Sequence, residues 1–278
     1  MTHRSRLFVL MAALLLSASR PSAHDLWIEA SAFRPDPGRV VGLHLLVGQD
    51  FLGDPIPRDP ALIEQFVAVT PDTTVPVVGQ DGADPAGLVR QTAPALVVIA
   101  YRSRSTAITL PPDKFNQYLR DEGLDDVAQF RAAHRQNDAP ARELFARCAK
   151  ALLQTGQPST SQSDRQVGMT LELIAGRNPY TLRAGDGLSV QLLFEHTPLK
   201  GALVIALNRQ HPNTRVAVRT NADGRVLLPL ADPGEWLIKA VHMIAAPKES
   251  GAEWQSYWAS LTFELGDGPR GTAGAASR

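Results

Sequence analysis

Short runs of β-branched and apolar residues, each broken by Pro, Gly or a polar turn, recur along this chain and restrict it to a fold of many brief strands. In residues 24–110 the runs fall at 40–47, 65–70, 75–78 and 95–101. No long helical pattern intervenes between them, so antiparallel pairing is expected, because parallel neighbours need crossovers of a dozen residues or more. Residues 167–265 hold seven further candidate strands, at 169–174, 188–194, 202–208, 215–220, 226–230, 235–241 and 257–264. Asp223-Gly224 supplies a tight turn between the fourth and fifth. Seven short strands in about 100 residues fit an immunoglobulin-like sandwich.

Residues 111–153 read differently. Pro111-Pro112 ends a strand, Asp113 can cap a helix, and Phe115, Tyr118 and Leu119 keep helical spacing up to Gly123. A second helix is expected from Asp125 or Asp126 through Phe130 to about His134. A third is expected from about Pro140, because Leu144, Phe145, Cys148, Ala149 and Leu152 fall on one helical stripe. The predicted fold class is therefore mostly β: two immunoglobulin-like β-sandwich domains, 24–110 and 167–266, with a small helical insertion at 111–153. A polar linker follows at 154–166, and a disordered tail is expected at 267–278.

The amino-terminal stretch has the layout of a secretory signal. Arg4 and Arg6 precede an apolar run over residues 7–16, and small and polar residues follow up to Ala23. The run is shorter than the roughly 20 residues of a membrane span. Cleavage after Ala23 makes residues 1–23 a signal peptide and places the mature protein in the periplasm or outside the cell. Pro21 departs from the small residue expected three positions before the cut. No later segment is long and apolar enough to span a bilayer, and 28 basic residues balance 28 acidic ones, which leaves no electrostatic footprint for nucleic acid. Cys148 is the single cysteine, so the fold must rest on its core, and burial as a small hydrophobe is the expected role of that thiol.

The motifs that mark common catalytic and nucleotide sites have no support: there is no GxSxG, Walker loop, HExxH or CxxC. The chain is accordingly read as not an enzyme, and chemistry is sought in histidines. Cleavage after Ala23 would make His24 the first residue, offering a metal its α-amine and its imidazole from one side chain. If residues 26–29 are extended, Asp25, Trp27 and Glu29 share one face, and Asp25 or Glu29 could orient the ligand or join the coordination shell. His242 ends the strand Trp236-Leu-Ile-Lys-Ala-Val-His242, where Trp236, Ile238, Ala240 and His242 share a face. For each there is a plainer role: a solvated chain end for His24, a core histidine for His242. A structural role is expected for His44, and solvated positions for His134, His196 and His211.

The start His24-Asp-Leu-Trp-Ile-Glu29 is one of several segments that together resemble the DUF4198 family. The others are Lys114-Phe-Asn-Gln-Tyr-Leu-Arg-Asp-Glu-Gly-Leu124, Arg147-Cys-Ala-Lys-Ala-Leu-Leu153, Pro198-Leu-Lys-Gly-Ala202, and the stretch from Thr220-Asn-Ala-Asp-Gly-Arg225 to His242. The resemblance implies a periplasmic β-sandwich protein related to the accessory component of nickel and cobalt uptake. It implies a transition metal ion with His24 as a ligand and brings His242 forward as a second; the metal-capture reading that follows has His24 and His242, with Asp25 or Glu29 as further candidates, hold nickel or cobalt, with copper allowed, for hand-over to a membrane transporter. Two other classes stay open. One is a metal-free envelope module presenting Trp254, Tyr257 or Trp258 to a protein or glycan; the other is a copper-dependent oxidoreductase.

Overall fold

The computed structural model describes residues 24–266; the expected signal peptide and the expected tail at 267–278 lie outside the described residues. The chain is mostly β. Its strands are β1 (Asp25–Ala30), β2 (Val40–Gln49), β3 (Leu52–Ile56), β4 (Ile63–Val69), β5 (Thr74–Pro76), β6 (Gly87–Arg90), β7 (Ala95–Ser103) and β8 (Thr106–Leu110). Helices α1 (Pro112–Asp121) and α2 (Asp125–Ala133) follow, and then β9 (Ala141–Thr155). The second half holds β10 (Leu171–Ala175), β11 (Gly187–Phe194), β12 (Thr197–Pro198), β13 (Leu203–Asn208), β14 (Arg215–Arg219), β15 (Arg225–Pro229), β16 (Gly234–Ala245) and β17 (Trp254–Leu265).

These strands form three sheets. A nine-stranded sheet runs β14-β13-β16-β17-β9-β7-β4-β5, with β8 also on β9. Two four-stranded sheets pack against it, one of β1, β2, β3 and β6, the other of β10, β11, β12 and β15. The two expected sandwiches therefore share one large sheet, joined where β17 and β9 pair in parallel. One continuous core links Leu43 and Ile99 of the first half with Leu192 and Phe263 of the second.

The join corrects the expected third helix. Residues 141–155 form the fifteen-residue strand β9, paired with β7, β8 and β17. Its helical stripe misled because β9 is covered on both faces, so nearly every position is apolar or buried and spacing no longer marks one side. Helix propensity of its Ala, Leu and Lys residues yielded to tertiary pairing. Cys148 is buried as expected, and burial pushes its thiol up to about 11.

Alternation and register assign the faces of the large sheet. Lys239 is opposite Ser260 on β17, while Leu261 is opposite Lys150 on β9, so Lys239 and Lys150 point to opposite sides. The sheet of β10 and β11 covers the Lys150 side. On the Lys239 side lie β1 and the helices. β1 sits over β9 and β17 with both of its own faces buried: Leu26, Ile28 and Ala30 enter the main core, and Trp27 joins Phe51, Ile205, Leu207 and Leu237. The helical insertion places Phe115, Tyr118, Leu119, Leu124 and Val127 against Val241, Met243, Trp254 and Trp258. No helix among the described residues is long and apolar enough to cross a membrane.

Candidate metal centre and its surroundings

His24 is half-buried at the start of β1, where its carbonyl accepts a hydrogen bond from Arg147 of β9 at 3.3 Å. Its Nδ1 is buried and meets no hydrogen-bond partner among the described residues. Burial lowers the imidazole pKa and the Arg147 guanidinium lowers it further, against the opposing pull of Asp25, so the neutral ring that a metal requires is favoured. Nδ1 is also the ring nitrogen that can close a six-membered chelate with the backbone nitrogen of the same residue.

Asp25 holds Lys239 through both carboxylate oxygens at 2.9 Å, and Lys239 reaches Glu122 of α1 at 2.7 Å. Burial opposes the charge on this lysine, but the two carboxylates outweigh it and its pKa is raised. Burial raises Glu122, with Asp25 adding to the effect and Lys239 opposing it. The triad opens onto a polar cavity of about 200 Å³ that Asp50, Asp121 and Arg215 also line. Asp50 reaches it from the β2–β3 turn, where Asp50 and Phe51 both adopt left-handed backbone, with φ of 52° and 62°. A bulky residue in that region is strained. Phe51 is nonetheless held there, fully buried, edge-on to Trp27 with ring centroids 5.5 Å apart and under the Arg209 guanidinium at 4.2 Å.

Glu29 is paired with Arg209, which also meets Glu235 at 2.7 Å. Asp25 and Glu29 are thus engaged by cations rather than directed at a common point with His24. His242 lies on the other face of the large sheet, edge-on to Phe194 with centroids 4.5 Å apart and beside Tyr257 across the strand pair. Burial lowers its pKa, against the pull of Asp126. The structure therefore does not bring His24 and His242 together. Among the described residues no group of three His, Cys, Asp or Glu side chains has the arrangement of a metal cage.

The remaining histidines keep to modest roles. His44 is bonded to Asp84 at 2.8 Å, His196 to Gln166 at 2.6 Å, and His134 stacks on Phe130 at 4.0 Å after the end of α2. Sequence reasoning missed Arg147, Lys239 and Glu122 around the start of β1. The only local signal was a lone Lys in the apolar run of β16.

A family model described as "Domain of unknown function (DUF4198)" matches residues 22–244, and the chain belongs to that family. No curated protein matches it. Among solved structures, the D0-D1 domain of Intimin aligns over 86% of this chain and 97% of its own, at 10% identity and a TM-score of 0.19. That likeness is too loose to bear on the fold's details or on function.

Proposed function

We propose that this protein is an exported, periplasmic binder of a transition metal ion, nickel or cobalt with copper as the strongest competitor, which captures the ion for a membrane transporter. The observation that carries the reading is the buried, unpartnered Nδ1 of His24. A buried polar atom without a partner is a rarity that calls for a ligand or water. Once residues 1–23 are removed, the α-amine of His24 would join Nδ1 in a chelate. Nitrogen donors suit nickel, cobalt and copper, and copper binds such sites most tightly.

The other candidates have different parts in this proposal. Asp25 fixes the start of β1 by holding Lys239, and Arg147 holds the His24 carbonyl, so the chelating residue is anchored on both sides. Glu29 anchors the far end of β1 through Arg209. His242, on the opposite face, is not part of the chelate. Two nitrogens from one residue leave most of a coordination sphere to water or to a receiving protein, which suits hand-over better than storage. The metal-free module is less favoured, because Trp254 and Trp258 are 8% and 6% exposed and serve the core.

The test is native mass spectrometry of the protein purified from a periplasm. A mass beginning at His24 with one bound nickel, cobalt or copper, lost in His24→Ala, is expected. A different amino terminus, or a His24 terminus that takes up no metal on titration, would remove the proposal.

A further inference from the structure

One stretch of the large sheet has no neighbour. β13 pairs with β16 only from Trp236 to Ala240, whereas β17 pairs with β16 along its whole length, from Gly234 to Ala245. The phase of the ladder is fixed at two points: Ala246 N–H donates to the Glu253 carbonyl and Arg209 N–H donates to the Glu235 carbonyl, each at 3.0 Å. Even-numbered residues of β16 therefore address β17 and odd-numbered residues address the β13 side. The pairing of Ala240 with Val204 uses the Val241 N–H on the Leu203 carbonyl; beyond it the Val241 C=O and the N–H and C=O groups of Met243 and Ala245 aim at a side where no strand lies among the described residues. No turn or loop backbone takes these groups up among the described residues.

The open edge forms the floor of a groove walled by α2. Two adjoining cavities, of about 390 and 420 Å³, meet at Asp126, Val127 and Met243. The larger one has an apolar wall of Val127, Phe130, Ile244 and Trp254. Phe130 stands edge-on to Trp254 with centroids 5.5 Å apart, yet remains 46% exposed. The charged residues lining that cavity are Asp126 and Glu253, and neither meets a cationic side chain within ion-pair distance among the described residues. Exposed edges are normally guarded by Lys, Pro or a bulge, and Val241–Ala245 has none of these.

We propose that this groove binds an extended segment of another protein, added as a strand to the edge of β16 between Val241 and Ala245. A row of alternating main-chain donors and acceptors recognises another extended main chain, the mode known as β-augmentation. Five residues of strand span about 17 Å. The apolar wall takes one hydrophobic side chain of the incoming segment, and Asp126 with Glu253 takes a Lys or Arg. The occupant is thus an extended peptide that pairs an apolar with a basic residue. It is independent of the metal chemistry at His24, which lines neither cavity.

The experiment uses the mature full-length chain as bait for a displayed library of random twelve-residue peptides. Enrichment of sequences combining apolar and basic residues is expected, with affinity falling at least about tenfold, or roughly 1.4 kcal/mol, in Ala245→Pro. That substitution removes an N–H on the open side only, at an exposed position where proline is tolerated in an edge strand. Asp126→Lys, on the exposed surface of α2, should weaken the same peptides even if the proline variant folds poorly. Amides of Met243 and Ala245 should gain protection from hydrogen exchange in the complex, those of Val241, His242 and Ile244 being protected already. No enrichment over an unrelated bait, or peptides that bind both variants as well as the parent, would overturn the proposal. So would a dimer in light scattering that Ala245→Pro dissociates, since the edge would then belong to a second copy.

Discussion

Lys150 and Lys239 occupy opposite faces of the same sheet, and each is held by two carboxylates, yet their settings differ. Lys150 meets Asp164 at 2.8 Å and Glu172 at 3.3 Å, with all three side chains at most 1% exposed. It also donates to the carbonyls of Arg165 and Leu173. The two carboxylates use their other lone pairs on backbone N–H groups: Glu172 on Val167, Gly168 and Met169, Asp164 on Arg165 and Ala175. Nothing is left over for a ligand, and the network pins the 164–169 loop onto β9 and β10. Lys239 instead faces a polar cavity beside the start of β1, with acidic groups in excess around it. Buried charge is thus a fastener where every lone pair is used internally, and a candidate site where a cavity keeps some within reach of solvent.

That contrast can be broken by substitution. Lys150→Met should cost about 3–5 kcal/mol, because two carboxylates would remain buried without a cation. Denaturant unfolding measures it, and a loss under about 1 kcal/mol would show that water reaches the site. Glu143 of β9 tests the Lys239 side next. Fully buried, it accepts from Tyr118 at 3.2 Å and from Ser256, has no cation partner among the described residues, and burial raises its carboxyl to about 7. Folding therefore favours the protonated form. The stability this gives is fully present below about pH 4.5 and is lost as pH rises through about 7, a change of about 3 kcal/mol. Glu143→Gln should flatten that part of the stability–pH profile, and an unchanged profile would mean that the carboxyl is ionised throughout. Lys239→Met should have the smallest effect, about 1–2 kcal/mol, because the cavity lets water solvate Asp25 and Glu122. A loss equal to that of Lys150→Met would erase the distinction between the two faces.

Much of the architecture was legible in the sequence because one-sided strands carry a period-two pattern. β16 showed it, with Trp236, Ile238 and Ala240 in the main core and Leu237 on the other side. β1 also showed it, as did the two helices with their apolar stripes. β9 was not legible, since a strand covered on both faces has no polar side to betray its period. The site was half legible. His24 could be singled out from its position after the expected signal, but its surroundings could not, because Lys239 lies 214 residues from Asp25 and Arg147 lies 123 residues from His24. Two histidines suggested one site, and the sheet separates them, because a strand residue's face is set by register with neighbours distant in the chain.

The most direct measurement of metal capture is a calorimetric titration with Ni²⁺ and Cu²⁺ of two proteins, one beginning at His24 and one carrying a single extra Ala before it. The extension keeps the imidazole, Asp25 and the fold, and removes only the α-amine from chelate position. Capture by the terminal chelate predicts one ion bound by the first protein and at least about tenfold weaker binding by the second. Equal affinities in the two proteins, or no binding by the first, would contradict it.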